Sequence, residues 1–164
     1  MRNFNIWNGI YKTFSEAENV GNAFASKRYL DDTYLQTKSF LNEFNNCDDI
    51  SNNFFNESPL SIIVAILSTK FKEISVLDFG GGMGISYAKI CRTLTKSEKI
   101  KYMILENKNV CEYGRSLFKT NKNINFVERL PSFKDKKHIL FISSAFQYID
   151  NWKELIDRKS TRLN

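Results

Sequence analysis

The residues best equipped for chemistry lie in two places. The first is the stretch from Ser75 to Tyr87, SVLDFGGGMGISY, in which Asp78 leads into Gly80, Gly81, Gly82 and Gly84. Val76, Leu77 and Phe79 flank the acid and read as a buried strand, and a helical pattern starts after the last glycine. Strand, tight turn and helix start in that order suit a nucleotide-like ligand. Glycines accept positive φ and let a ligand reach the backbone without meeting a Cβ, while the helix N-terminus adds unpaired N–H groups and a positive dipole end. The second place is Glu106, which closes the next predicted strand, where an acid accepts hydrogen bonds from ribose hydroxyls. Each feature alone has a plainer role, a joining turn or a solvated carboxylate. Their conjunction at one sheet edge argues for a site.

Spacing narrows the ligand. The dinucleotide fingerprint G-x-G-x-x-G, counted from Gly80 and Gly82, places Ile85 where the third glycine belongs. A nicotinamide-dependent oxidoreductase therefore loses its main support. The residues instead follow D-x-G-x-G-x-G from Asp78 to Gly84, which resembles the first motif of class I S-adenosylmethionine-dependent methyltransferases. A carboxylate two residues before the first glycine suits a ligand with a cationic amino group and no pyrophosphate. The resemblance implies S-adenosylmethionine as cofactor, bound by Asp78, Gly80, Gly81, Gly82, Gly84 and Glu106.

Other polar residues collect at the same predicted edge. Ser143, Ser144, Gln147 and Tyr148 follow the fourth predicted strand and either line a transfer pocket or form an ordinary strand-to-helix turn. Glu128 ends the third strand and faces either an adenine or solvent. The single histidine, His138, enters the fourth strand and belongs at the opposite edge. Methyl transfer from a sulfonium is an in-line displacement governed by proximity and alignment. A hydroxyl acceptor would need a base, for which Glu128 and Tyr148 are weak candidates; the catalytic residue stays unassigned.

These residues need a parallel sheet to position them. From residue 73 the chain alternates strand and helix, which predicts an α/β, Rossmann-like domain over 73–157 with right-handed crossovers and strand order 3-2-1-4. The strands are expected at 74–79, 100–105, 124–127 and 139–143. Between them, one helix starts near residue 85 and buries Tyr87, Ile90, Cys91 and Leu94. A second starts near Asn109, assisted by Glu112, and buries Val110, Tyr113, Leu117 and Phe118. A last helix follows Asp150. Residues 1–72 read as an N-terminal helical cap, with helices expected at 14–20, at 26–45 on a Leu30, Tyr34, Leu41 and Phe44 stripe, and from Pro59. Ser58 caps the helix that starts at Pro59, whose Leu60, Ile63, Val64, Leu67 and Phe71 form its inner face and which is expected to be covered on much of its circumference. The polar stretch 45–56 is the expected mobile loop.

Composition bounds the remaining classes. The chain has 164 residues, 42% hydrophobic and 26% charged, the profile of one ordinary soluble domain. No apolar run reaches the roughly 18 to 20 residues of a membrane span. MRNFNIWNGIYK lacks the apolar core of a signal peptide, so the cytoplasm is the expected location. Cys47, Cys91 and Cys111 form no C-x-x-C pair, and neither a disulfide framework nor a metal site is indicated. The net charge of +6 owes three units to Arg158, Lys159 and Arg162 in the last seven residues. Nucleic acid is therefore not the expected partner, although a contiguous basic face beside Ser144 would change that.

A closer resemblance covers most of residues 4–157. Trp7-Asn8-Gly9-Ile10-Tyr11 with Ala17, VLDFGGGMG from Val76 to Gly84, and SSAFQYI from Ser143 to Ile149 are similar to a family of S-adenosylmethionine methyltransferases linked to bacterial surface-polysaccharide biosynthesis. By that resemblance the substrate is a small molecule or glycan, Tyr11 with Gln147 and Tyr148 closes over the cofactor, and Ser144 is a further cofactor-binding candidate. Many class I methyltransferases carry an acid at the start of the fourth strand, here His138, and an acidic pair after the third, here Glu128 alone. The closing RKSTRLN looks like a non-native tail over 158–164, which makes the expected enzyme a C-terminally truncated fragment. Such a fragment leaves the fourth strand as an open edge. The alternative is a non-catalytic nucleotide-binding or interaction module.

Overall fold

Four strands run parallel in the order β3-β2-β1-β4. A computed structural model describes residues 11–13, 16, 26–46, 58–94, 99–129, 139–148 and 153. The strands are β1 (Ile74–Phe79), β2 (Ile100–Leu105), β3 (Ile124–Val127) and β4 (Ile139–Ile142). Register pairs Val76 with Tyr102 and Ile139, and Tyr102 with Ile124, so β1 lies inside the sheet. Strand β1 is buried along Ile74 to Asp78, the near-continuous burial of a parallel strand. The α/β, Rossmann-like architecture and the strand order match the expectation. The expected helices at 14–20 and after Asp150, the polar stretch 47–56, Cys47, His138 and the tail at 158–164 lie wholly or mainly outside the described residues.

Alternation sends Ile74, Val76 and Asp78 to one face of β1. There they join Ile100, Tyr102 and Ile104 of β2 and Ile124 and Phe126 of β3 beneath the helices α2 (Pro59–Ser68) and α3 (Ile85–Thr93). Helix α3 contributes Tyr87 and Ile90, as expected, with Cys91 and Leu94 partly buried. The helix α4 (Lys108–Leu117) follows β2, and Gly114 on it makes room for the Phe126 ring, which a Cβ there would strike.

Helix α1 (Lys27–Asn46) begins after Ser26, whose Oγ accepts from the Tyr29 N–H at 3.3 Å. Its Leu30 is buried with Met83 and Val110 in a second core, flanked by Tyr34, Tyr113 and Leu117. The Tyr113 hydroxyl donates to Asp31 at 3.1 Å, and the rings of Tyr34 and Tyr113 meet edge to face at 5.6 Å. The expected N-terminal helix thus packs on α4 and on the glycine loop.

Two expectations need correcting. Helix α2 does start at Pro59, with Ser58 Oγ accepting from the Leu60 N–H at 3.3 Å. However, only Leu60, Ser61 and Val64 are fully buried on it, and Ile62, Ile63 and Ile66 are exposed. One stripe faces α3 and β1, so the helix is covered on one side only. Phe71 is exposed because the helix ends at Ser68, before reaching it. Helix α4 starts two residues early: Asn107, not Asn109, is the cap, its Oδ1 accepting from the Val110 N–H at 3.1 Å. Glu112 pairs instead with Lys108 at 3.9 Å on the solvent face. No helix among the described residues is long and apolar enough to cross a membrane.

Candidate functional site

The carboxyl ends of β1 and β2 lie side by side, and the backbone ties them together. The Gly80 N–H donates to the Leu105 carbonyl at 3.0 Å, and the Glu106 N–H to the Val127 carbonyl at 3.0 Å. Asp78 and Glu106 therefore stand at neighbouring strand ends of an open parallel sheet, the place where such sheets bind ligands.

The four glycines divide into two kinds. Three are required by packing. A Cβ on Gly80 would lie 2.7 Å from the Ala145 Cβ, one on Gly81 would strike the Asp78 carboxylate, and one on Gly84 would lie 2.8 Å from the Phe118 ring. Gly82 differs: it has positive φ, +58°, and nothing within 4 Å of the Cβ position. The loop thus turns one glycine toward open space while its others sit on the protein. Gly84, at φ +95°, stands at the N-cap of α3 and, having no side chain, gives the first-turn N–H groups no side-chain acceptor. Met83, the one large side chain within the run, is buried against Leu30 and Val110.

Asp78 is only 1% exposed. The Tyr102 hydroxyl donates to its Oδ2 at 2.6 Å, and the Tyr102 ring leans on Tyr87 with centroids 5.3 Å apart. Burial pushes the carboxyl up from its ordinary 3.8 to about 6, against the pull of the Tyr102 bond, with the Glu106 charge adding to the rise. The same burial, with the neighbouring carboxylate, drives the Tyr102 phenol far up, so it stays a donor. The acid is a negative charge laid directly beneath the loop.

Glu106 is half-buried and held otherwise. Its Oε2 accepts from both the N–H of Asn107 at 2.9 Å and the Asn107 Nδ2 at 3.1 Å. Both bonds fall on one oxygen, Oε2. Asn107 thus uses its amide twice, capping α4 with Oδ1 and orienting Glu106 with Nδ2. Cys111, buried below, directs its thiol to the Glu106 carbonyl at 3.4 Å, and burial pushes that thiol up. It is a packed core residue.

The fourth strand reaches the loop through Ala145, buried against Gly80. Ser144 just before it is exposed and holds φ +56°, the one described non-glycine residue in the left-handed region. Backbone held in a sparsely populated region concentrates at functional positions. Phe146–Tyr148 form a 3₁₀ turn in which the Tyr148 N–H donates to the Ala145 carbonyl at 3.1 Å, and the Tyr148 side chain is 58% exposed. Gln147 lies within that turn. Glu128 stands apart from this group, 3.4 Å from Arg115 Nη2, which also donates to the Phe126 carbonyl at 2.9 Å. Tyr11 is an exposed residue outside every described helix and strand.

The structure therefore brings Asp78, the glycine loop, Glu106 and, through Ala145, the Ser144 turn to one edge. Sequence reasoning missed Tyr102, Asn107 and Ala145. Strand alternation carried a signal for Tyr102, since it places a hydroxyl on the Asp78 face of the adjoining strand. No protein-family model matches the chain, and a search of curated proteins returns no match.

Proposed function

We propose that this chain binds S-adenosylmethionine at the β1–β2 edge and is a methyltransferase acting on a small-molecule or glycan acceptor. The observation that carries the reading is the D-x-G-x-G-x-G loop itself, with Gly82 bordered by open space and the Asp78 carboxylate beneath it. The donor set fits the cofactor: a buried acid suits an ammonium group, and Glu106 Oε1 suits a ribose hydroxyl. When bound, the cofactor supplies a sulfonium methyl group for in-line displacement. The chain's residues orient it: the loop backbone borders the ligand, Glu106 fixes the ribose, and the Ser144 turn, anchored on Gly80 through Ala145, borders the acceptor side. Of the two weak base candidates, Tyr148 stands in the turn that follows β4 beside Ser144, whereas Glu128 lies at the end of β3 next to Arg115.

Calorimetric titration with S-adenosylhomocysteine, beside NADH, tests the reading. Binding of the former alone, weakened in Glu106→Ala, is the expected result, and tight NADH binding would overturn it. Binding without transfer to any acceptor would favour the non-catalytic module.

A further inference from the structure

We propose that Tyr102 is a positioning residue for this site: its phenol holds the Asp78 carboxylate in place under Gly81, so that the charge lies where a ligand's ammonium group comes to rest on the loop. The inference rests on the S-adenosylmethionine reading and names the residue that makes the buried acid usable.

The geometry is closed on every side. Asp78 is buried at the loop's base, and Gly81 has no room for a Cβ because the carboxylate occupies that space. A side chain so placed has few orientations, and the 2.6 Å bond from Tyr102 selects one. Tyr102 is itself fixed, buried in the main core with its ring on Tyr87. The groups with charge or protons around Asp78 are Tyr102 and Glu106 from β2 and its end, and Ser86, Tyr87 and Cys91 from α3 around the phenol. Strand β4 sets Phe141 beside it in register. No cation among the described residues holds Asp78 ionised, so the phenol is what favours its charged form from within. That assignment explains why a tyrosine, whose hydroxyl is costly to bury without a partner, stands mid-strand in an otherwise apolar face.

The test compares S-adenosylhomocysteine, which carries the ammonium group, with 5′-methylthioadenosine, which lacks it. Binding of each to the wild-type chain and to Tyr102→Phe is measured from pH 5 to 8, with melting curves alongside. Tyr102→Phe is expected to weaken S-adenosylhomocysteine by about tenfold at neutral pH and to leave 5′-methylthioadenosine unchanged. The midpoint of its pH profile should move up by about one unit, since the carboxylate loses its donor. Equal weakening of both ligands, or an unmoved profile, would overturn the proposal. If Tyr102→Phe does not fold, Asp78→Asn gives the same discrimination: selective, pH-independent weakening supports the proposal, and parallel loss of both ligands overturns it. Failure of both ligands to bind the wild-type chain would instead defeat the cofactor reading.

Discussion

Two carboxylates at adjacent strand ends have been given opposite surroundings. Asp78 is enclosed, bonded to a buried phenol and covered by a glycine that leaves no space for a side chain. Glu106 is half-buried and is steered by the residue that follows it, which donates twice to one of its oxygens. The difference separates two ways of recognising a ligand. An enclosed charge acts over distance through the loop, gains strength from the low dielectric and costs stability. An open charge acts by contact and costs little.

The largest expected effect follows from that cost. Asp78 is held up near 6 in the folded protein against an ordinary 3.8. Between those values the folded state binds more protons than the unfolded one, so stability falls as pH rises. The contribution is complete below pH 3.8 and lost as pH passes through about 6. Chemical denaturation of wild type and Asp78→Asn across this window should show the wild type losing about 3 kcal/mol relative to the variant. Parallel curves would break the comparison. Next, Gly81→Ala should destabilise by about 2 kcal/mol, because its methyl group would displace the carboxylate from Tyr102. Gly82→Ala, at an open position, should cost about 1 kcal/mol from its left-handed backbone alone.

At the other carboxylate the expected order reverses. Glu106→Gln should change the melting midpoint little, within about 0.5 kcal/mol, while weakening S-adenosylhomocysteine about tenfold. The smallest separable effect belongs to Asn107. Asn107→Asp keeps an acceptor for the Val110 N–H and loses the donor to Glu106, so it should retain the helix cap, whereas Asn107→Ala should lose about 1 kcal/mol of it in thermal denaturation.

The frame was legible because each strand is a short apolar run between punctuating residues. The run from Ile74 to Phe79 before four glycines, and Ile124 to Val127 before Glu128, left little choice of register. Where two signals competed, local pattern misled. Asn109 with Glu112 forms the better capping pair on paper, yet Asn107 caps because β2 ends at Leu105 and Val110 must face Leu30 and Met83. The inner face of α2 was overdrawn for a related reason. An all-apolar helix does not reveal which of its stripes finds a partner, and Leu60 and Val64 found one where Ile63 did not. In the site, residue types marked Asp78 and Glu106. Their enclosure or openness depended on Tyr102 and Asn107, which spacing alone does not connect to them.

Met83 carries one more consequence, in the order of assembly. The β1–β2 and β2–β3 units join segments close in sequence, whereas Met83 is completed by Leu30 and α1 is latched by a bond between Asp31 and Tyr113, 82 residues apart. Long closures form after local ones. The β1–β2–β3 part of the sheet is therefore expected to form around an unfinished loop, which takes its final shape when α1 docks. A ligand held there would bind only the finished molecule and so would favour the last folding step over its reversal.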